Sequence, residues 1–155
     1  MDWDSYFINE AHLAALKSKD RKRQVGAVIV GRDHAIRSKG YNGPPRGMND
    51  DDPAIHVKPL KLSIFECAER NAIFNAARIG VSCLGCTLYV THACCAPCAR
   101  GIVQSGIQEV VVHAASPEMP SWHDSQEAAR RIFAECGVVY RRWACEVVVQ
   151  RPLTE

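Results

Sequence analysis

The sequence predicts an α/β protein, a three-layer α/β/α sandwich around a central mixed sheet of five strands. Two apolar segments near the N-terminus, 24–30 and 34–41, flank the turn sequence Gly31-Arg32-Asp33 and indicate an antiparallel hairpin. Beyond this hairpin, helical and extended patterns alternate along the chain. Such alternation favours strands that are joined by helices, and with the hairpin it predicts a mixed sheet.

Each element has its own local signal. Apolar residues recur at helical spacing in the first segment, and β-branched residues are concentrated in the strands. Gly80, Gly106 and Gly137 each follow a helical pattern and are expected to end it. No repeat or linker divides the chain, so residues 1–155 are expected to form a single domain. In chain order the expected elements are a helix at 3–19, strands at 24–30 and 34–41, a long loop at 46–63, a helix at 65–79, a strand at 87–91, a helix at 95–105, a strand at 109–113, a helix at 123–135 and a strand at 138–143.

The composition narrows the class of protein. Hydrophobic residues make up 47% of the chain and charged residues 23%, as in ordinary globular proteins. A net charge of +2 is too small to favour a nucleic-acid polymer as partner, so a small molecule is expected. No apolar run approaches the roughly 20 residues that span a bilayer. Because the N-terminus is polar and acidic, unlike a signal peptide, we expect no membrane association and a cytoplasmic location.

A pair of cysteines at metal-ligand spacing opens the helix predicted at 95–105. Cys95 and Cys98 are three residues apart on a first helical turn, so both sulfurs can reach one ion. The positive end of a helix stabilises thiolates. A catalytic zinc takes three ligands from the protein and leaves a fourth position for water. Cys67, at the start of another predicted helix, is the best third ligand, and Glu69 can act beside it only at the helix tip.

These residues resemble a known family. Cys67-Ala68-Glu69 followed by the Cys95 and Cys98 pair resembles the zinc deaminases of cytosine and adenine. Other segments, spread over roughly residues 17–142, are similar to the deoxycytidylate (dCMP) deaminase branch. They are Ser18-Lys19-Asp20, Gln24-Val25-Gly26-Ala27, Gly40-Tyr41-Asn42-Gly43, Asp51-Asp52, Ser105-Gly106-Ile107 and His123-Asp124-Ser125.

The resemblance implies a hydrolase that converts dCMP and water into dUMP and ammonia. Zinc-bound hydroxide would attack C4 of cytosine, and Glu69 would shuttle the protons. It further implies that Asn42 contacts the sugar and the backbone at Ala68 contacts the base. Members of this branch are commonly homo-oligomers, and many respond to dCTP and dTTP as effectors, so both properties are expected here.

The chain departs from the branch at the zinc ligands. Cys67 stands where the branch usually has histidine, which adds a negative charge and weakens zinc as a Lewis acid. The string Cys-Ala-Glu-Arg resembles the homotetrameric cytidine deaminases, in which the arginine donates hydrogen bonds to the ligand sulfurs. We therefore expect Arg70 to offset the extra charge from outside the ligand set. Cys94 replaces the family's proline before the first cysteine of the pair, which leaves Cys94 as the alternative to Cys95.

Two further features have competing interpretations. Trp122 offers an aromatic face on which a base could stack, or it packs in the core. The basic run Arg21-Lys22-Arg23 is either a phosphate-binding patch or a solvated turn. Three other functions stay open: deamination of free cytidine or deoxycytidine, deamination of a 5-substituted dCMP, and a structural zinc module that binds a partner and does not need Glu69.

Overall fold

Five strands form one mixed sheet in the order β2-β1-β3-β4-β5 in the computed structural model, which describes residues 1–149. Strands β1 and β2 pair antiparallel, β1 and β3 antiparallel, and β3, β4 and β5 parallel. The predicted mixed five-stranded sheet is therefore confirmed. The strands are β1 Gly26–Val30, β2 Ile36–Tyr41, β3 Thr87–Val90, β4 Glu109–His113 and β5 Val139–Trp143, and the helices are α1 Trp3–Ala15, α2 Leu60–Ile64, α3 Ala68–Ile79, α4 Ala96–Gln104 and α5 His123–Cys136.

The two faces of the sheet carry separate cores, because alternate residues of a strand point to opposite sides. On one face, side chains such as Ile29, Leu88 and Val110 pack with helices α3, α4 and α5. On the other face, Val28 and Val111 pack with helix α1. This arrangement confirms the three layers. None of the helices in residues 1–149 has the length and apolar content that crossing a bilayer requires.

Two helix boundaries differ from the prediction by three or more residues, and one predicted loop contains helical turns. Helix α1 ends at Ala15 instead of residue 19, and the chain then crosses towards β1 as a loop. The segment 46–63 is not a simple loop, since it contains a short 3₁₀ helix at Pro53–His56 and helix α2. Helix α3 begins at Ala68 instead of residue 65 because Gly43 and Glu66 form an isolated antiparallel bridge that keeps the preceding residues extended.

Helix α3 lies unusually close to strand β2. A Cβ atom added at Gly40 would lie 2.3 Å from both the carbonyl oxygen of Ala68 and the backbone nitrogen of Ala72. These are backbone atoms, which cannot move aside without shifting the helix. Glycine at this position of β2 therefore allows the first turn of α3 to pack against the sheet.

Candidate metal centre and substrate pocket

Cys67 occupies the N-terminal tip of helix α3. Its backbone is extended, with φ −74° and ψ 153°, and it is the residue that caps the helix. The backbone hydrogen bonds between Gly43 and Glu66, at 3.1 and 2.9 Å, hold the chain extended up to that point. Glu69 lies in the first turn that follows. The two-residue spacing of Cys67 and Glu69 requires both side chains to leave from the tip of one helix. This backbone geometry meets that requirement.

Helix α4 presents its own tip to the same region. Cys95 caps this helix in extended conformation, with φ −85° and ψ 165°, and Cys98 lies in the first turn. The backbone N–H of Ala96 donates to the hydroxyl oxygen of Ser125 at 2.9 Å, which ties this tip to helix α5. Pro97 fits because amides of a first turn have no partner inside the helix.

The sulfurs of Cys67, Cys95 and Cys98 converge. Their Sγ atoms all lie within 4.8 Å of one another, and those of Cys67 and Cys95 are 3.9 Å apart. Cys94 is not part of this group, and its side chain is fully buried in the core beneath the helices. The register that the sequence left open between Cys94 and Cys95 is thus resolved in geometry: Cys95 joins the cluster.

The protonation pattern of the cluster fits a metal. Hydrogen bonds from Cys67 and Cys98 lower the pKa of the Cys95 thiol, which favours its thiolate form. The same hydrogen bonding to Cys95 raises the pKa of the Cys67 thiol. A divalent cation would displace the protons that the sulfurs share and would balance their charge. Three sulfurs match the number of protein ligands that a catalytic zinc takes.

Glu69 is a buried carboxyl group beside these sulfurs. Its residue surface is 4% exposed, and it lines the pocket described below. Burial raises the pKa of Glu69 to about 7, with a further contribution from the charge of Cys95. A carboxyl group whose pKa lies near neutrality can both accept and donate a proton, as general acid–base chemistry requires.

Arg70 contacts the cluster from outside it. Its Nη2 lies 3.9 Å from the sulfur of Cys67 and 2.5 Å from a carboxylate oxygen of Glu66. Its Nε is buried and has no hydrogen-bond partner within residues 1–149. The guanidinium, paired with Glu66, thus lies next to the cysteine that departs from the family pattern and can donate a hydrogen bond to its sulfur.

A cavity of about 450 Å³ opens directly over the sulfurs and Glu69. The residues predicted to bind substrate all line this cavity: Asn42, Ala68 and Trp122. The side-chain amide of Asn42 is largely engaged within the protein: it accepts from the N–H of Val25 at 2.8 Å and donates to the carbonyl of Arg23 at 2.9 Å. Trp122 packs partly against the core beneath the helices, so it both lines the cavity and contributes to packing.

The cavity also contains polar groups that the sequence did not single out. Lys58 and Lys61 come from the segment around helix α2, and Gln126 comes from helix α5. Lys22 and Arg23 line the cavity as well, whereas Arg21 of the same basic run does not. The basic run was visible in the sequence, but Lys58, Lys61 and Gln126 gave no signal because only the fold brings their segments to the cysteines.

Comparison with known proteins agrees with this site. The sequence profile of the cytidine and deoxycytidylate deaminase zinc-binding region matches residues 1–114. The deoxycytidylate deaminases of Pongo abelii and Homo sapiens are each 39% identical over 150 residues, covering 92% of this chain and 80% of those proteins. The crystal structure of dCMP deaminase from the cyanophage S-TIM5 in complex with dCMP and dUMP shares the fold, with a TM-score of 0.72 and 23% identity, over 89% of this chain and 94% of that one. The chain therefore belongs to the cytidine and deoxycytidylate deaminase family and is a zinc-dependent hydrolytic deaminase.

Proposed function

We propose that this chain converts dCMP and water into dUMP and ammonia. The observation that carries the proposal is one cavity lined by two cysteines of the three-sulfur cluster, a buried carboxyl group and several basic side chains. The sulfurs and the carboxyl group suit deamination, and the basic side chains suit a phosphate. The two relatives reported above, which cover 92% of the chain, are named as deoxycytidylate deaminases, which supports the same substrate.

Cys67, Cys95 and Cys98 would hold the zinc ion. When bound, zinc supplies a Lewis acid that lowers the pKa of a coordinated water towards ~7. Cys67 and Cys95 both line the cavity, so the side of the cluster without a protein ligand faces the space that a substrate would enter.

Glu69 would move the protons of the reaction. It takes a proton from the attacking water and delivers it to ring N3. It then takes the proton of the hydroxyl now on C4 and delivers it to the amine, which leaves as ammonia while the C4 carbonyl forms. The raised pKa of Glu69 supports this role, because the carboxyl group changes its protonation state near neutral pH. A structural zinc module would have no use for a buried carboxyl group at this place.

The basic side chains favour a nucleotide over a nucleoside. Lys61 is neutralised by Asp20, whose carboxylate lies 2.7 Å from the Lys61 Nζ. Lys22 and Arg23 form no ion pair within residues 1–149, while their backbone N–H groups donate to Asp20 at 2.8 and 3.0 Å. Asp20 thus holds the turn that carries two uncompensated positive charges at the cavity, where a phosphate would bind.

The test is ammonia release from matched pairs of nucleotides and nucleosides. We expect turnover of dCMP and a much lower kcat/KM for deoxycytidine. In a Lys22→Gln, Arg23→Gln double variant, kcat/KM for dCMP should fall by roughly tenfold or more, the worth of one or two hydrogen bonds to a charged group, while deoxycytidine turnover stays the same. Arg21→Gln is the matched control and should behave as wild type.

Two other results would redirect the proposal. Equal or faster turnover of cytidine or deoxycytidine would make the chain a nucleoside deaminase, and a preference for 5-methyl or 5-hydroxymethyl dCMP would make it specific for a substituted base. Glu69→Gln should abolish turnover of every substrate with zinc still bound, and retained turnover would reject the role of Glu69. Assembly into a homo-oligomer and responses to dCTP and dTTP stay predictions from the family resemblance.

A further inference from the structure

Gln126 is a buried amide that faces the cavity without a partner. Its residue surface is 8% exposed, and it lines the cavity. Within residues 1–149 the only fully enclosed side-chain nitrogen or oxygen atoms that lack a partner are His56 Nδ1 and Arg70 Nε. The side chain of Gln126 forms no hydrogen bond within residues 1–149, and its amide atoms are not among these enclosed atoms. The amide atoms therefore belong to the small accessible part of the residue, which faces the cavity.

Helix α5 places Gln126 beside the cysteine cluster. The preceding residue, Ser125, accepts the hydrogen bond from the backbone N–H of Ala96, next to Cys95. Trp122, the residue that caps helix α5, lines the same cavity as Gln126 in the first turns of that helix. Gln126 and Trp122 therefore form one wall of the cavity, held against the tip of α4.

The amide of Gln126 is available to a molecule that enters the cavity. Its polar atoms are open to the cavity and make no hydrogen bond within residues 1–149, so a ligand can pair with them without breaking an existing contact. The glutamine amide offers both donors and an acceptor. A pyrimidine ring also carries both kinds of group at its edge. The basic side chains that would meet a phosphate come from other segments, namely the loop after α1 and the residues around α2.

We propose that Gln126 hydrogen-bonds to the pyrimidine base of the bound substrate and is a specificity-determining residue of this deaminase. The inference rests on the proposed function for the identity of the substrate. The contact is to the base, so it is made with a nucleotide and with its nucleoside alike. This separates Gln126 from Lys22 and Arg23, whose contacts would be made with the phosphate alone.

The experiment compares Gln126→Met with wild type on dCMP and on deoxycytidine. The methionine side chain has similar length and no hydrogen-bonding amide. We expect kcat/KM to fall by about tenfold for both substrates, as for the loss of one hydrogen bond in a desolvated site, with an unchanged zinc-to-protein ratio and melting temperature. Gln104→Met, at an exposed position of α4, is the matched control and should leave both values unchanged.

Every outcome decides the inference. A loss confined to dCMP would place Gln126 at the phosphate, and no loss on either substrate would remove it from the site; both overturn the proposal. If the methionine variant does not fold, the uncharged Gln126→Leu, which also lacks the amide, replaces it with the same expectation. If wild type turns over no cytosine compound, the proposed function fails, and titration with dUMP and deoxyuridine decides instead. Equal weakening of both by Gln126→Met supports the contact, and binding of neither by wild type overturns it.

Discussion

At the scale of single residues, the site depends on where two cysteines stand in the backbone. Cys67 and Cys95 each cap a helix from an extended conformation, so their side chains leave from the tips of α3 and α4. Helix N-termini carry partial positive charge, which favours thiolates. Glu69 follows Cys67 by two residues and reaches the same cavity because the chain is still entering its first turn.

Arg70 is the residue whose role is most open to direct test. A third thiolate makes the zinc site more negative, and the Arg70 guanidinium is 3.9 Å from the Cys67 sulfur. We expect Arg70→Gln to weaken zinc binding by roughly tenfold, as is common when a partner of a metal ligand is removed. Competition with a chromogenic chelator measures this affinity.

The control for Arg70 is on the same helix. Arg78→Gln removes an exposed arginine from the last turn of α3 and should leave zinc affinity unchanged. Equal zinc affinity and equal activity in Arg70→Gln and wild type would show that this guanidinium does not tune the cluster.

At the scale of secondary-structure elements, the decisive contact is between strand β2 and helix α3. Gly40 lets the helix approach the sheet, and the bridge between Gly43 and Glu66 then fixes where the helix begins. The hydrogen bond from Ala96 to Ser125 fixes the tip of α4 against α5 in a similar way. The two tips meet because each helix is anchored within a few residues of its cysteine.

Gly40→Ala should therefore damage the fold and the metal site together. The added methyl group would lie 2.3 Å from backbone atoms of Ala68 and Ala72, so α3 must move. We expect a loss of about 1–3 kcal/mol in the free energy of unfolding, typical of overpacking, and a reduced zinc content. Denaturant titration and metal analysis of the purified variant measure the two effects.

A second glycine provides the comparison. Gly43→Ala introduces the same methyl group where no atom lies within 4 Å, so its stability should stay close to that of wild type. If Gly40→Ala were as stable as Gly43→Ala and bound as much zinc, the close approach of β2 and α3 would not be what positions Cys67.

At the scale of the whole molecule, the cluster links elements that are distant in sequence. Cys67 comes after β2 and Cys95 after β3, and the sheet order separates these strands by β1. An ion held by both helix tips binds the folded chain and not the unfolded one, so it stabilises the fold by mass action. The gain is about 2.7 kcal/mol when free zinc is 100 times its Kd.

Removal of zinc should accordingly lower the melting temperature. We expect the thermal transition to shift downward when a strong chelator is added and to recover with excess zinc. Cys98→Ser should melt near the temperature of the chelated wild type and respond little to zinc. Cys136→Ser, which changes an exposed cysteine outside the cluster, should keep the full response. A melting temperature independent of zinc in wild type would contradict a metal shared by α3 and α4.

The sequence by itself determined the sheet, the layers and the cysteines that the structure brings together. Apolar alternation and glycine positions record local backbone preferences, which is why most strand boundaries agree within one or two residues. The spacing of Cys95 and Cys98 and the Cys67-Ala68-Glu69 string are local as well, so they could be recognised without a fold. The sequence left the choice between Cys94 and Cys95 open. Adjacent residues at the start of a helix differ in the direction of their side chains, and local spacing does not reveal that direction.

Only the tertiary structure decided what surrounds that chemistry. Lys58, Lys61 and Gln126 lie on segments far from the cysteines in sequence, and nothing local marks them as lining one cavity. The extended backbone at Cys67 likewise depends on a bridge to Gly43 that no local pattern reveals. Ligand spacing is a property of a few consecutive residues, whereas a pocket is formed by contacts between distant ones, and those contacts exist only after the chain has folded.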